Sequence, residues 1–189
     1  MKISSLFGLV ALLMLFLVSS CLTCETKEYT YAFTGKGKGT LTVKYNNILS
    51  KYSEEEDGLT QLEELNQHYD ELINDYIKGD QLVSAFPNAK LSSKRLFEEN
   101  GKLCGEAIYE FSSAGEVHLF QTDTKGPYMY LLNSMSFETV SQTNGKEGPE
   151  YFSVIYWSNK LKKLSFSTKV EELDETMTSL LAMWKSKQK

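Results

Sequence analysis

The residues of this chain whose types could do chemistry are few and scattered. Cys24 and Cys104 have no zinc-type spacing and no histidine beside them, which argues against metal binding and thiol catalysis. His68 falls on the border of an apolar helical stripe, and His118 in a segment ambiguous between helix and strand. Neither has a second histidine near it in sequence, and no role is assigned to either. Glu106 and Glu110 lie on one face of an expected strand, where paired carboxylates could serve as the acid and base of a hydrolase. Two acids so placed are usually the wet side of a sheet. Glu54-Glu55-Glu56-Asp57 lacks the Asp-x-Asp-x-Asp-Gly order of a calcium loop and reads as the solvated start of a helix. Gly35-Lys36-Gly37-Lys38-Gly39 has the composition of a phosphate cradle, but a phosphate loop opens a helix and this segment opens a strand, so it reads as a hairpin turn. There is no nucleophile elbow, metal pair or Ser-His-Asp arrangement, so no catalytic residue, metal site or cofactor is expected.

The strongest signal lies at the amino terminus. Lys2, an apolar run from Leu6 to Val18, then Ser19 and Ser20 follow the order of a secretory leader: a charge, a short apolar core and small residues ahead of a cut. The run is shorter than the roughly 20 apolar residues of a spanning helix. With a cysteine directly after the small pair, Val18-Ser19-Ser20-Cys21 resembles the lipobox of bacterial lipoproteins. The resemblance implies cleavage before Cys21, a thioether-linked diacylglycerol on Cys21, usually a third acyl chain on its amine, and anchoring to the cell envelope. Leu22 in place of Asp after the anchor implies the outer membrane, as among proteobacterial lipoproteins. Cys24 is the weaker candidate, because Thr23 before it is bulkier than the usual Gly, Ala or Ser. The alternative is an ordinary secretory cut near Ser20 that leaves Cys21 and Cys24 as thiols or disulfide partners.

Residues 1–20 then form the leader, 21–27 a lipidated tether and 28–189 one domain. The whole chain has 20 Lys+Arg against 25 Asp+Glu, a net charge of −5, and loss of Lys2 with the leader deepens the deficit. That balance argues against nucleic acid and against an electrostatic hold on anionic lipid, leaving the acyl chains as the anchor. With Cys21 assigned to lipid, Cys24 and Cys104 are an even pair in an oxidising compartment and could bridge; the alternative makes Cys24 a tether residue and Cys104 an apolar filler. The 11 Tyr and 10 Phe against 3 Pro favour sheet over a disordered tail.

Tyr29, Tyr31 and Phe33 alternate with smaller residues, as do Leu41, Val43 and Tyr45 after the glycine-lysine turn, so the two segments read as a hairpin. Leu59, Leu62, Leu65, Tyr69, Leu72, Ile73, Tyr76 and Ile77 share one helical stripe, with Glu63, Glu64, Gln67 and Glu71 outside. A further short turn spans Asp80 to Phe86. Residues 90–98 and 102–112 flank Asn100-Gly101, a tight-turn dipeptide, and Gly105 and Ala107 among aromatics leave room for close packing. Strands follow at 128–132, 135–143, 151–157 and 161–169, with a hairpin or edge loop expected at Asn144-Gly145. Leu173, Met177, Leu180, Leu181 and Trp184 read as a closing helix.

The fold class is therefore α+β: an antiparallel sheet of about eight strands packed by a long amphipathic helix and a C-terminal helix. The element order looks like the helix-grip folds, which enclose a cavity, and like the PsbP/Mog1 type of sandwich, which has a solid core. A non-catalytic module is expected, holding an apolar small molecule or lipid. The alternatives are a subunit whose exposed tyrosines, around Gly126 to Leu132, dock a protein partner, and an anchored hydrolase using Glu106 and Glu110.

Overall fold

A computed structural model describes residues 22–52, 59–132, 138–149, 153–170 and 173–188. Its frame is a pair of long strands, β1 (Leu22–Phe33) and β2 (Gly39–Lys51), closed by the glycine-lysine turn, where the Thr34 N–H donates to the Lys38 carbonyl at 3.0 Å. A second hairpin joins β3 (Lys90–Glu99) to β4 (Lys102–Phe111). Asn100 and Gly101 turn it with φ of 53° and 73°, the positive pair that a two-residue primed turn requires. Beyond it come β5 (Leu119–Phe120), β6 (Tyr128–Leu131), β7 (Thr139–Thr143), β8 (Lys146–Glu147), β9 (Val154–Trp157), β10 (Lys163–Lys169) and β11 (Met177–Ser179). The class is α+β with antiparallel pairing, and the strands divide between two sheets. One runs β3-β4-β2-β1-β10-β7, with β11 paired to the end of β2, and the other runs β5-β6-β9-β8.

The helices depart in detail from the sequence expectation. The long one is α1 (Gln61–Glu71), continued by a π-helical segment over Leu72–Lys78; α2 (Gln81–Ala85) follows, and α3 (Leu181–Lys187) closes the chain. Thr60 and Glu63 form a capping box at the start of α1, the Glu63 carboxylate accepting from the Thr60 N–H at 2.8 Å. Glu54 to Asp57 lie outside the described residues. Leu62 is 65 % exposed while Glu64 is buried, so the contact face of α1 is rotated from the predicted stripe toward Glu64, His68 and Tyr69. The His68 Nδ1, 2.7 Å from Ser50 Oγ, pins that face to β2. The closing helix is shorter than its apolar spacing suggested, because Met177–Ser179 pair with β2 at 49–51, where β4 has already ended and the strand edge is open. Leu173 is left exposed.

Residues 22–27 are not a tether: Leu22 pairs with Ser50 and Thr26 with both Asn46 and Lys169, so the sheet begins directly after Cys21. Of the two forms expected at Asn144-Gly145, the structure has the edge loop and not the hairpin. There the chain passes from the large sheet (β7) to the small one (β8), and the Asn144 Oδ1 accepts from the Trp157 indole N–H and the Ser165 N–H, both at 2.8 Å, tying the two sheets together.

One face of the large sheet carries two apolar clusters. Tyr31, Leu41, Val43, Tyr109, Leu164 and Phe166 pack against Leu119, Tyr128, Ile155 and Trp157 of the small sheet. Toward the other end of the strands, Ile48 and Leu103 pack against Tyr69, Leu72 and Leu180 of the helical layer. The opposite face is polar, with the cross-strand row Glu28, Lys44, Glu106, Arg95 alternating in charge over four strands. β3 forms one edge of this sheet; Lys90, Ser92, Ser93 and Arg95 stand exposed along it, and its register slips between Leu91 and Ser93.

A Cβ placed on Gly145 would stand 2.6 Å from both the Trp157 Nε1 and the Tyr156 carbonyl oxygen. Gly145→Ala should therefore destabilise the fold by about 1–3 kcal/mol, the usual range for overpacking. Urea unfolding followed by tryptophan fluorescence measures this, and an unchanged midpoint would contradict the sheet-to-sheet crossing.

Candidate functional site

Between the helical layer and the large sheet lies an apolar cleft of about 500 Å³. Leu72, Tyr76 and Ile77 of the π-helical segment form one wall, and Leu82, Ser84 and Ala85 of α2 continue it. Bonding from i to i+5 brings Leu72 and Ile77 one turn apart on the same side, and π-helical segments recur at functional sites. Gly105 of β4 lies in the floor between Ile48, Leu96 and Tyr45, so its missing side chain is part of the space. Leu22, Thr23 and Cys24 complete the wall at the start of β1.

The floor depends on a break in alternation. Along β2, Leu41, Val43 and Tyr45 point inward, and strict period two would turn Ile48 outward. Asn47 adopts a left-handed conformation, φ 55°, and Ile48 joins the inward set, in van der Waals reach of Gly105 together with Tyr45. Asn is among the few non-glycine residues that tolerate this region. The Asn47 side chain donates to the Glu25 carboxylate at 3.1 Å on the facing strand, and Lys102 donates to the same oxygen at 2.6 Å. Lys102 holds the Glu25 carboxyl below its ordinary value, against the opposing effect of partial burial.

Polar residues also line the cleft: Lys27, Tyr45, Gln81 and Ser84, with Arg95 and Glu106 paired to each other at 2.8 Å. The Lys27 ammonium lies 2.6 Å from Glu138, whose other oxygen accepts from the Thr168 hydroxyl at 2.7 Å, so this cation is held in place rather than free. The Tyr45 side chain stands half-buried on the cleft. Burial, and after it the neighbouring Tyr109, Cys24, Tyr76 and Glu138, pushes its pKa well up, so it stands as a neutral donor. Tyr130, raised to about 12 mainly by burial, and Tyr29 extend this phenolic layer toward the small sheet.

The residues singled out from sequence scatter over the structure. Cys21 lies outside the described residues. Cys24 and Cys104 are both buried and not joined by a disulfide, Cys24 on the cleft and Cys104 on the polar face, its thiol 3.8 Å from the Asn46 Oδ1. With β2 between them they stand roughly 10 Å apart, two strand spacings, and the disulfide weighed from their number is not formed, since bridged Cα atoms lie within about 7 Å. Glu106 and Glu110 point to the polar face, each engaged by its own cation, Arg95 at 2.8 Å and Lys90 at 3.3 Å. Four strand residues separate them by roughly 13 Å, too far to act on one bond as a carboxylate pair. His118 is exposed, its ring 5.0 Å from Phe86. Tyr128 and Tyr130 are not a docking patch, because Tyr128 stacks on Phe33 at 4.8 Å and Tyr130 packs on Phe166 at 4.7 Å. Lys27, Tyr45 and Asn47 were missed, although Lys27 was legible as an inward position from its spacing to Tyr29 and Tyr31.

No protein-family model, curated protein or solved structure matches the chain.

A carboxyl whose folded pKa is lowered contributes stability above its ordinary value of 4.5 and loses it as pH falls through the folded value. Carboxyl-carbon NMR titration should place Glu25 below that ordinary value, and Lys102→Met should move it back up. A Glu25 titration indifferent to Lys102 would remove the ion pair from the support of the Asn47 turn.

Proposed function

We propose that this protein is a non-catalytic binding module of a bacterial envelope, anchored by lipid on Cys21, which holds an apolar small molecule or lipid in the cleft between the helical layer and the large sheet. The observation that carries the reading is the cleft itself. Its volume of about 500 Å³ falls within the roughly 300–1,000 Å³ of small-molecule sites, and its lining follows their pattern of apolar walls with a few placed polar groups. Leu72, Ile77, Leu82, Ile48 and Leu96 supply the apolar surface, and the Tyr45 hydroxyl supplies a neutral hydrogen-bond donor. An apolar ligand with one polar atom near Tyr45 is the class this lining favours. Lys27 adds positive charge at the rim, but its pairing with Glu138 disfavours a second anion there.

The anchor follows from Val18-Ser19-Ser20-Cys21. Each buried CH₂ contributes about 0.8 kcal/mol to membrane attachment, so two or more chains hold stably where one holds marginally. The proposed residence is the outer membrane, from Leu22 after the anchor.

Native and denaturing mass spectrometry of the protein purified from its own envelope test the binding reading. The native form should carry lipid mass beyond the polypeptide, released on unfolding where the ligand is free and retained where it is an acyl chain on Cys21. Gly105→Val, which builds a side chain into the floor beside Ile48 and Leu96 and costs about 1–3 kcal/mol by crowding, should remain folded and lose any released mass. A native form with neither released nor covalent lipid would sink the reading. Independently, Cys21→Ala should shift the protein from the membrane fraction to an uncut or soluble form; a variant still cut and still acylated would refute the anchor.

A further inference from the structure

We infer that the cleft receives one of the protein's own acyl chains, carried on Cys21. This rests on the lipid anchor and the binding cleft proposed above, and it names the occupant. No spacer separates the anchor from the cleft. β1 starts at Leu22, and Leu22, Thr23 and Cys24 are both the residues that follow Cys21 and part of the cleft wall. Pairing of Leu22 with Ser50 and Cys24 with Ile48 fixes that wall to the floor strand, and the covalent attachment point is one peptide bond from Leu22. Leu22 also packs against the cluster formed by Ile48, Leu72 and Leu180, which continues the apolar surface from the attachment point into the cleft.

The chemistry of the lining favours an alkyl chain over a ligand with its own charge. The ammonium of Lys27 is taken by Glu138, Arg95 and Glu106 of the lining are paired to each other, and Leu72, Ile77, Leu82 and Leu96 supply aliphatic walls. A chain tethered one residue from the opening has a high effective concentration there, which a free lipid of the same chemistry lacks. Because the cleft and the bilayer both remove CH₂ groups from water, a single chain exchanges between two similar environments while the remaining chains hold the protein on the membrane.

The test uses the full acylated protein in its own membrane, with a benzophenone amino acid replacing Ser84, an exposed residue of the cleft wall, or in a second variant Ile77. After irradiation and proteolysis, the expected product is the labelled peptide joined to the acylated amino-terminal peptide. A product joined to a free phospholipid or fatty acid would overturn the inference while leaving the binding module standing. No lipid product from either position would overturn both. An amino-terminal peptide that carries no acyl chain overturns the inference and the anchor together, whatever occupies the cleft.

Discussion

A strand offers only every second side chain to a given face, and β1 and β2 have to serve two different layers along one face of the large sheet. Under strict alternation from Tyr29 and Val43, Ile48 would face outward and the helical layer would have no apolar floor. The left-handed backbone at Asn47 resets the phase once, between the part of β2 that meets the small sheet and the part that meets α1 and α3. Glu25, Asn47 and Lys102 fasten that reset across three neighbouring strands. The position of the helices, and with them the cleft, depends on one unfavourable backbone conformation held by three polar side chains.

The gap exists because the two covering layers are built differently. The half beneath the small sheet is sealed with large rings: Tyr29 lies nearly parallel to Phe166 at 4.5 Å, and Trp157 of the small sheet packs on the same ring at a tilt of 42°. Such rings fill space completely and fix it through their geometry. The helical half relies on Leu72, Ile77 and Leu82 above a glycine, a combination with too little volume to close the interval. At the end of the π-helical wall the Gly79 carbonyl accepts from the Lys94 ammonium at 2.5 Å, which ties that wall to β3.

What could be read from the sequence was the part governed by local period and turn chemistry. The alternation of Tyr29, Tyr31 and Phe33, the Asn100-Gly101 turn and the stripe ending at Ile77 each correspond to an element, because each signal is complete within a dozen residues. The readings that failed depend on partners far away in sequence. Met177 to Ser179 carry apolar spacing compatible with a helix, yet the open edge of β2 draws them into a strand. Tyr128 and Tyr130 have the composition of an interface, and only the return of β1 and β10 shows that Phe33 and Phe166 occupy their faces. Of the cleft, the small residue Gly105 was visible as a place of close approach, whereas Lys27, Tyr45 and Asn47 gain meaning only once three strands are side by side.

The edge strand β3 bears on how many copies can share a surface. On the anchor proposed above, copies meet their neighbours in two dimensions, and an open strand edge is the feature by which sheets of separate copies fuse. Along β3 the cations Lys90 and Arg95, the short polar Ser92 and Ser93, and the slip in register beside Leu91 deny a neighbour both matched hydrogen bonds and an apolar strip. An irregular polar edge whose cations are already paired to Glu110 and Glu106 offers a neighbouring copy little to fuse with.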